Sequence, residues 1–206
     1  MSEDIFRHAD KSLMVILRDM SREFQNLGTT LGFDELNVLG TRKTVNAMYK
    51  RMNEMIIAEF VKIALLAFVE AGGDEEEFDV HEFVMTMLRA YDPLSDFVYT
   101  REWTRKRDRL FESIIATERG NQEMRKNLKR GLDVLANQVR QYADNITIGA
   151  RLKAFKSIGV ERVMWVAVDD GSTCKICRER NGKVYLLSEC PPCPGHWHCR
   201  CELWPI

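Results

Sequence analysis

The chain has 206 residues, of which 45% are hydrophobic and 30% charged, and its formal net charge is -1. This length allows one ordinary domain or a helical domain with a small appendage, and the composition excludes a disordered or fibrous chain. The near-neutral balance argues against a protein that coats nucleic acid, and the N-terminus lacks the basic and apolar stretches of a secretory signal. We therefore expect a globular protein that stays in the cytoplasm where it is made.

The first part of the chain shows the three-to-four residue spacing of amphipathic helices. One helix is predicted over 5–27, with Gly28 as its stop, and a second, about 30 residues long, begins at a Thr41 cap and ends near Gly72. The most apolar window, 55–69, is interrupted by charges and falls short of the ~20 residues that cross a bilayer. It predicts a buried helix and no membrane association.

Helical patterning continues through the middle of the chain. Asp79 is predicted to cap a short helix that runs to about Ala90, before Pro93 breaks the pattern. From Thr100 to Ile158 the helical signal is almost continuous, with weak interruptions at three glycines, Gly120, Gly131 and Gly149. Two or three helices are expected there.

Charge is unevenly distributed along this helical part. Residues 70–97 carry nine acidic side chains against Arg89 alone, whereas residues 101–130 carry ten Lys or Arg against five acids. The local net charges are thus -8 and +5. Such runs are usually solvated faces, here predicted to pair with each other, and the alternative is a surface for a partner.

At Val160 the pattern changes to short, β-prone segments. An apolar run over 160–168 predicts a first strand, the Asn181-Gly182 pair predicts a two-residue hairpin turn, and 183–187 and 200–204 predict two more strands. The sequence therefore predicts a mainly α fold, with a helical body followed by a small C-terminal antiparallel β module that binds zinc. The predicted domains are 1–158, divisible into 1–97 and 98–158, and 159–206.

The zinc prediction rests on where the cysteines lie. All six fall between Cys174 and Cys201, and they form the pattern Cys-x-x-Cys twice, followed by His-x-His-Cys-x-Cys. Zinc takes four ligands at tetrahedral corners, and two cysteines separated by two residues can turn both sulfurs to one side of a tight turn. A structural zinc site contributes ~10 to 16 kcal/mol in zinc-finger peptides, enough to fold a unit whose own core is small.

Several ligand sets satisfy this spacing. A zinc ribbon would use Cys174, Cys177, Cys190 and Cys193; a second solution joins Cys174 and Cys177 to ligands from His196, Cys199 and Cys201. With His198 the segment offers eight ligands, so two zinc ions are also conceivable. Disulfides fit a reducing compartment poorly. A catalytic pair of His198 and Cys199 is disfavoured because adjacent side chains usually point apart.

Short motifs follow one another from roughly Leu110 to Pro205. They are Ile115-Ala116-Thr117-Glu118-Arg119, Gly159 with Val163-Met164-Trp165-Val166, Asp170 with Cys174 and Cys177, Asn181-Gly182-Lys183-Val184, and His196 with Cys199, Arg200 and Cys201. In combination they resemble the C-terminal module of the Mu F-like minor head proteins, or head-morphogenesis proteins, of tailed bacteriophages. Trp197 stands where that family usually has proline, which leaves open whether His196 or His198 faces the metal.

The resemblance implies a ligand pool of Cys174, Cys177, His196, Cys199 and Cys201, with Cys190 and Cys193 as additions. It implies no enzymatic reaction. The expected protein lies inside the phage head, associates with the portal protein during procapsid assembly, and takes part in DNA packaging or ejection. Major capsid or scaffolding protein are further expected partners, and the basic stretch 101–130 is a candidate DNA contact.

Two other classes of function compete with this one. A zinc-ribbon regulator would bind nucleic acid through basic side chains near the cysteines: Lys175, Arg178, Arg180, Lys183 and Arg200. An enzyme would need an open zinc site with three protein ligands, a water and a nearby base. Asp169 and Asp170 could supply a base, but with Gly171 they read more simply as a turn.

Overall fold

The computed structural model describes residues 2–31, 38–92, 97–117, 121–168, 171, 173–196 and 199–206. Of the described residues 73% are helical, and the C-terminal part of the chain forms a small three-stranded antiparallel sheet. The predicted fold class is confirmed. None of the helices in these ranges has the length and apolarity needed to cross a bilayer.

The helices are, in chain order, α1 (Ser2–Thr30), α2 (Val38–Glu70), a 3₁₀ turn (Glu75–Glu77), α3 (Val80–Arg89), α4 (Tyr99–Ala116), α5 (Asn121–Ser157) and α6 (Lys175–Arg180). The strands are β1 (Tyr91–Asp92), β2 (Phe97–Val98), β3 (Arg162–Val166), β4 (Val184–Leu186) and β5 (Glu202–Pro205). Strands β1 and β2 pair with each other beside the helices, whereas the other three form the C-terminal sheet.

The body is built on three long helices, because α1, α2 and α5 pack along one another and bury a continuous apolar core. Met48, Met52 and Ile56 of α2 lie in that core, as methionines at helical spacing usually do. Helix α4 adds a cluster of aromatic rings in which Tyr99 contacts both Trp103 and Tyr142. These ring contacts join α4 to α2 and α5.

Helix ends agree with prediction where a side chain fixes them. Asp79 caps α3 by accepting a hydrogen bond from the Glu82 backbone N–H at 2.9 Å, as predicted. Thr41 does not cap α2, because the helix already begins at Val38 and Thr41 is buried inside it. The predicted end of this helix is close to the observed one, because α2 ends at Glu70, just before Gly72 and Gly73.

Glycines that were predicted to interrupt helices instead lie where helices approach closely. Gly28 is within α1, and a Cβ there would meet Leu128; Gly131 faces Leu110 and Phe24. Gly149 lies against α3, so α5 runs unbroken through both of its glycines. The third predicted interruption, Gly120, lies outside the described residues.

The C-terminal sheet has the order β4-β3-β5, with β3 at its centre and both neighbours antiparallel to it. The predicted two-residue hairpin at Asn181-Gly182 is wrong, because α6 lies between β3 and that turn. Gly182 still has the positive φ of 75° that this turn sequence favours. The Gly182 N–H donates to the Trp165 carbonyl at 2.8 Å, so the hydrogen bonding between β3 and β4 continues into the residues just before β4.

The module packs on the C-terminal end of α5. Phe155 belongs to the same buried cluster as Val163 and Trp165 of β3. Arg151 donates to the Glu202 carboxylate at 3.3 Å, and both of these side chains are mostly buried. The predicted boundary at 158/159 therefore falls between helix and strand, while the core of the module includes residues from the helix.

The two charged stretches lie toward different ends of the body. The acidic turn around Phe78 is near the C-terminal end of α5, where Lys153 stands 5.9 Å from the Phe78 ring. The ion pairs of the basic stretch are local, made for example by Arg105 with Glu102 and by Lys126 with Glu123. The interpretation that the two stretches neutralise each other is therefore not supported.

Candidate metal centre

The first Cys-x-x-Cys pair begins helix α6. Cys174 is the N-cap residue, and its sulfur accepts a hydrogen bond from the Cys177 backbone N–H at 3.4 Å. Cys177 follows in the first turn, and only 1% of its surface is exposed. The cap geometry thus turns both sulfurs toward the same side, as the spacing predicts.

The remaining donors come from the segment that closes the module. The Cys199 N–H donates to the His196 carbonyl at 3.1 Å, which bends the chain back toward α6. Cys201 directly precedes β5, which pairs with the central strand β3. Cys199 and Cys201 are both buried, so the closing segment brings its thiols into the interior of the module.

These donors meet at contact distance. The Cys177 sulfur lies 3.2 Å from His196 Nε2 and 3.6 Å from the Cys199 sulfur. Within the described residues two groups of donors have all their atoms within 4.8 Å of one another: Cys174, Cys177 and His196, and Cys177, Cys199 and Cys201. Cys177 belongs to both groups, which makes it the central residue of the cluster.

A small cavity lies among these side chains. Its volume is about 30 Å³, and its lining includes Cys174, Cys177, His196 and Cys201. A space of this kind needs only about 10 to 15 Å³ to hold one water-sized particle, so it admits a single small ion. The cluster therefore has the donor types, the spacing and the internal volume to hold one metal ion.

The surroundings of the cluster oppose ionisation of its buried thiols. Burial raises the pKa of Cys177, and neighbouring thiols raise it further; burial likewise raises the pKa of Cys201. The pKa of Cys174 is lowered instead, chiefly by the hydrogen bond from the Cys177 backbone. Several thiolates cannot share so small a space unless a cation neutralises them, and a metal ion that deprotonates its ligands does this.

The second Cys-x-x-Cys pair lies beside this cluster, outside its two groups of donors. Cys190 and Cys193 belong to neither group of donors, although the Cys193 sulfur lies 3.4 Å from the Cys201 carbonyl oxygen. The described geometry thus brings together the five residues that the family resemblance implies and not the ribbon set. His198, Asp169 and Asp170 lie outside the described residues.

Gly195 lets the loop before His196 approach the Trp165 ring closely, and the sequence alone did not single out this glycine. A Cβ at Gly195 would stand 3.4 Å from the Trp165 ring and 3.2 Å from the Arg180 guanidinium. That guanidinium lies 4.9 Å from the centre of the same ring. The Pro194-Gly195 pair directly before His196 is the signal that could have indicated this close approach.

The protein is a helical body with a compact C-terminal module, in which cysteines and a histidine form a cluster. The model of the family described as Phage Mu protein F like protein matches residues 107–204. The predicted resemblance is confirmed over that range, which covers α4 from Arg107, α5 and nearly all of the module. No curated protein and no solved structure matches the chain.

The match covers slightly less than half of the chain, and it shows similarity to that phage family over the C-terminal part. The matched range contains every donor of the cysteine and histidine cluster. The cluster is therefore part of the region that is similar to the family.

Proposed function

We propose that this protein is a non-enzymatic minor head protein of a tailed phage that associates with the portal inside the capsid during procapsid assembly. It would reside in the host cytoplasm during assembly and in the virion afterwards, with a role in DNA packaging or ejection. The observation that carries the proposal is the family match over residues 107–204, together with the assembly of the matched cysteines and histidine into one cluster.

We further propose that the cluster holds zinc. Zinc–sulfur and zinc–nitrogen bonds place the ligand atoms of a tetrahedral site roughly 3.6 to 3.8 Å apart. The distances from the Cys177 sulfur, 3.6 Å to Cys199 and 3.2 Å to His196, come close to this spacing. Thiolate and imidazole ligands bind zinc in preference to calcium or magnesium.

We propose that four of the five donors fill the corners of such a site. Cys174, Cys177 and His196 form one group within 4.8 Å, and Cys201 is our fourth ligand because it lines the same cavity. Cys199 is the alternative fourth ligand, since its sulfur also contacts Cys177. Bound zinc would cross-link the start of α6, which carries Cys174 and Cys177, to the closing segment, which carries His196 and Cys201. Both would then be held against the central strand β3.

The body and the module would then have separate tasks. The long helices have their own apolar core, so they can dock on portal subunits whether or not the metal is present. The module buries few large apolar side chains besides its cysteines, so it needs the metal to act as a rigid tip. Docking and rigidity are therefore separable by mutation.

Binding to the portal is tested by co-expressing the full chain with the portal protein of the same phage and sedimenting the portal rings. We expect the chain to co-sediment with the rings. The Cys177→Ser variant should also co-sediment, but its module should become sensitive to protease. A chain that never co-sediments with portal, or with procapsids, would contradict the proposed function.

The metal assignment is tested by native mass spectrometry of matched cysteine variants. Cys177→Ser removes a donor from both groups, so we expect zinc affinity to fall on the order of 100-fold or more. Cys190→Ser is the control, with the same chemical change outside the cluster, and it should retain zinc. Full zinc retention in Cys177→Ser would refute the site, and comparing Cys199→Ser with Cys201→Ser identifies the fourth ligand.

The zinc-ribbon regulator is less well supported. Its basic residues on α6 are already engaged within the module: Lys175 pairs with Glu179 at 3.8 Å, and Arg178 donates to the Thr173 carbonyl at 3.1 Å. Arg180 stacks over Trp165. Three of the five basic residues near the cysteines thus have a partner within the module.

A further inference from the structure

A cleft between α4 and α5 concentrates positive charge on the helical body, well away from the cysteine cluster. Its volume is about 250 Å³, and three cations line it: Lys106 and Arg109 from α4, and Arg130 from α5. Tyr49 of α2 also contributes to the lining, and no carboxylate does so among the described residues. We call this space the α4–α5 cleft.

The protein neutralises these cations only in part. Glu102 is the acidic neighbour, but it bonds Arg105 at 2.5 Å and lies 3.8 Å from Lys106, so one carboxylate serves two cations. Arg109 and Arg130 have no carboxylate within 4.0 Å in the part of the chain that the structure describes. Like charges gathered in a concave surface repel one another, and an anion relieves that repulsion.

Lys106 is drawn into the cleft rather than extended into solvent. Its side chain is 18% exposed. Burial lowers the pKa of Lys106, and the positive charges of Arg105 and Arg109 lower it further, against an opposing effect of Glu102. A negative ligand in the cleft would remove this penalty on the ammonium group.

We propose that the α4–α5 cleft binds a phosphate group that belongs to a phosphate ester. Guanidinium groups from two facing helices can each donate two hydrogen bonds to the same phosphate, and the ammonium adds a third positive charge. The cleft is smaller than the ≈ 300 to 1,000 Å³ of pockets that enclose whole organic ligands. It therefore fits a phosphate with part of its ester group, and the rest of the ligand would lie outside.

Two sources supply this chemistry, a nucleic-acid strand and a small phosphorylated molecule. The site is independent of the proposed function, because it lies on the body and uses none of the cysteine cluster. A failure of phosphate binding would therefore leave the portal and zinc proposals unchanged.

The test is titration of the full, zinc-loaded chain with inorganic phosphate, with a mononucleotide and with a labelled DNA oligonucleotide at several salt concentrations. The variants are Arg109→Gln and Arg130→Gln, alone and combined, and both positions are exposed. The control is Arg162→Gln, which removes the same charge from an exposed position on the module. Circular dichroism checks that all variants keep the helical content of the wild type.

We expect each cleft variant to weaken binding about tenfold and to reduce the salt slope by about one, whereas Arg162→Gln should change neither. Binding of phosphate or mononucleotide with this pattern supports a small phosphorylated ligand; the same pattern with the oligonucleotide alone supports a nucleic-acid strand. Equal effects in the cleft and control variants overturn the proposal. So does self-association that the cleft variants abolish without any phosphate binding, because the ligand would then be a carboxylate of a second copy.

Discussion

Asp144 gives this protein a pH dependence that can be calculated from the structure. Its carboxyl lies on α5 in a cavity of about 360 Å³ between α1, α5 and the C-terminal module, which Asp10, Arg200 and Glu202 also line. Burial raises the pKa of Asp144 to about 7 from its ordinary 3.8, and the Asp10 carboxylate adds to this effect. The folded state therefore holds a proton there that the unfolded state has lost.

The sign of the effect follows from linkage. Because the folded pKa is the higher one, the stabilising contribution is complete below pH 3.8, declines as the pH rises, and is lost above about 7. The full rise of the pKa from 3.8 to about 7 corresponds to about 4 kcal/mol in the free energy of unfolding. The side chain is partly exposed, so solvent screening reduces the effect, and we expect roughly 2 kcal/mol.

The perturbation is Asp144→Asn, which keeps the shape of the side chain and removes its titration. Urea unfolding followed by far-ultraviolet circular dichroism, at values from about pH 5 to about pH 8, gives the free energy of unfolding for each chain. The variant should equal or slightly exceed the wild type at the acidic end and exceed it by roughly 2 kcal/mol at the alkaline end. The control Asp133→Asn, at an exposed position on the same helix, should follow the wild type. Parallel pH profiles for wild type and Asp144→Asn would refute the reasoning.

Two further predictions concern the metal and the packing at the end of α2. Chelation of the metal should leave the helical signal of the body nearly unchanged, because the apolar core of the body is separate from that of the module. Limited proteolysis should then cut only within residues 160–206. A cooperative loss of all helical signal would contradict this. Gly73→Ala should lower the free energy of unfolding by about 1 to 3 kcal/mol, because its Cβ would overlap the Phe68 ring. Gly171→Ala, where nothing lies within 4 Å, is the matched control, and equal stability losses in thermal melts would show that the overlap is not the cause.

The sequence predicted those features that depend on neighbouring residues. Asp79 caps α3 because an aspartate side chain can reach the N–H three residues on, whatever surrounds the helix. The turn from Cys174 to Cys177 is local in the same way, so the spacing alone indicated a pair of sulfurs on one side. The mainly helical body followed from apolar periodicity, which persists over many residues and is therefore hard to mistake.

Glycine was misread because its effect depends on what lies opposite. A glycine weakens a helix when it faces solvent, yet it permits close packing when another helix presses against it, as Leu110 does at Gly131. Likewise, Asn181-Gly182 forms a tight turn, but only the path of the chain showed that a helix precedes it. Local propensity does not contain that information.

By itself, the sequence determined that a helical body is followed by a small module in which thiols and an imidazole have the spacing of metal ligands. Only the tertiary structure decided that Cys177 joins both donor groups while Cys190 and Cys193 stand aside. It also decided that burial, with the nearby Asp10 carboxylate, raises the pKa of Asp144 and that Lys106, Arg109 and Arg130 share one cleft. The physical reason is that these relations join residues far apart in the chain, and the packing of the long helices and of the small sheet sets their distances.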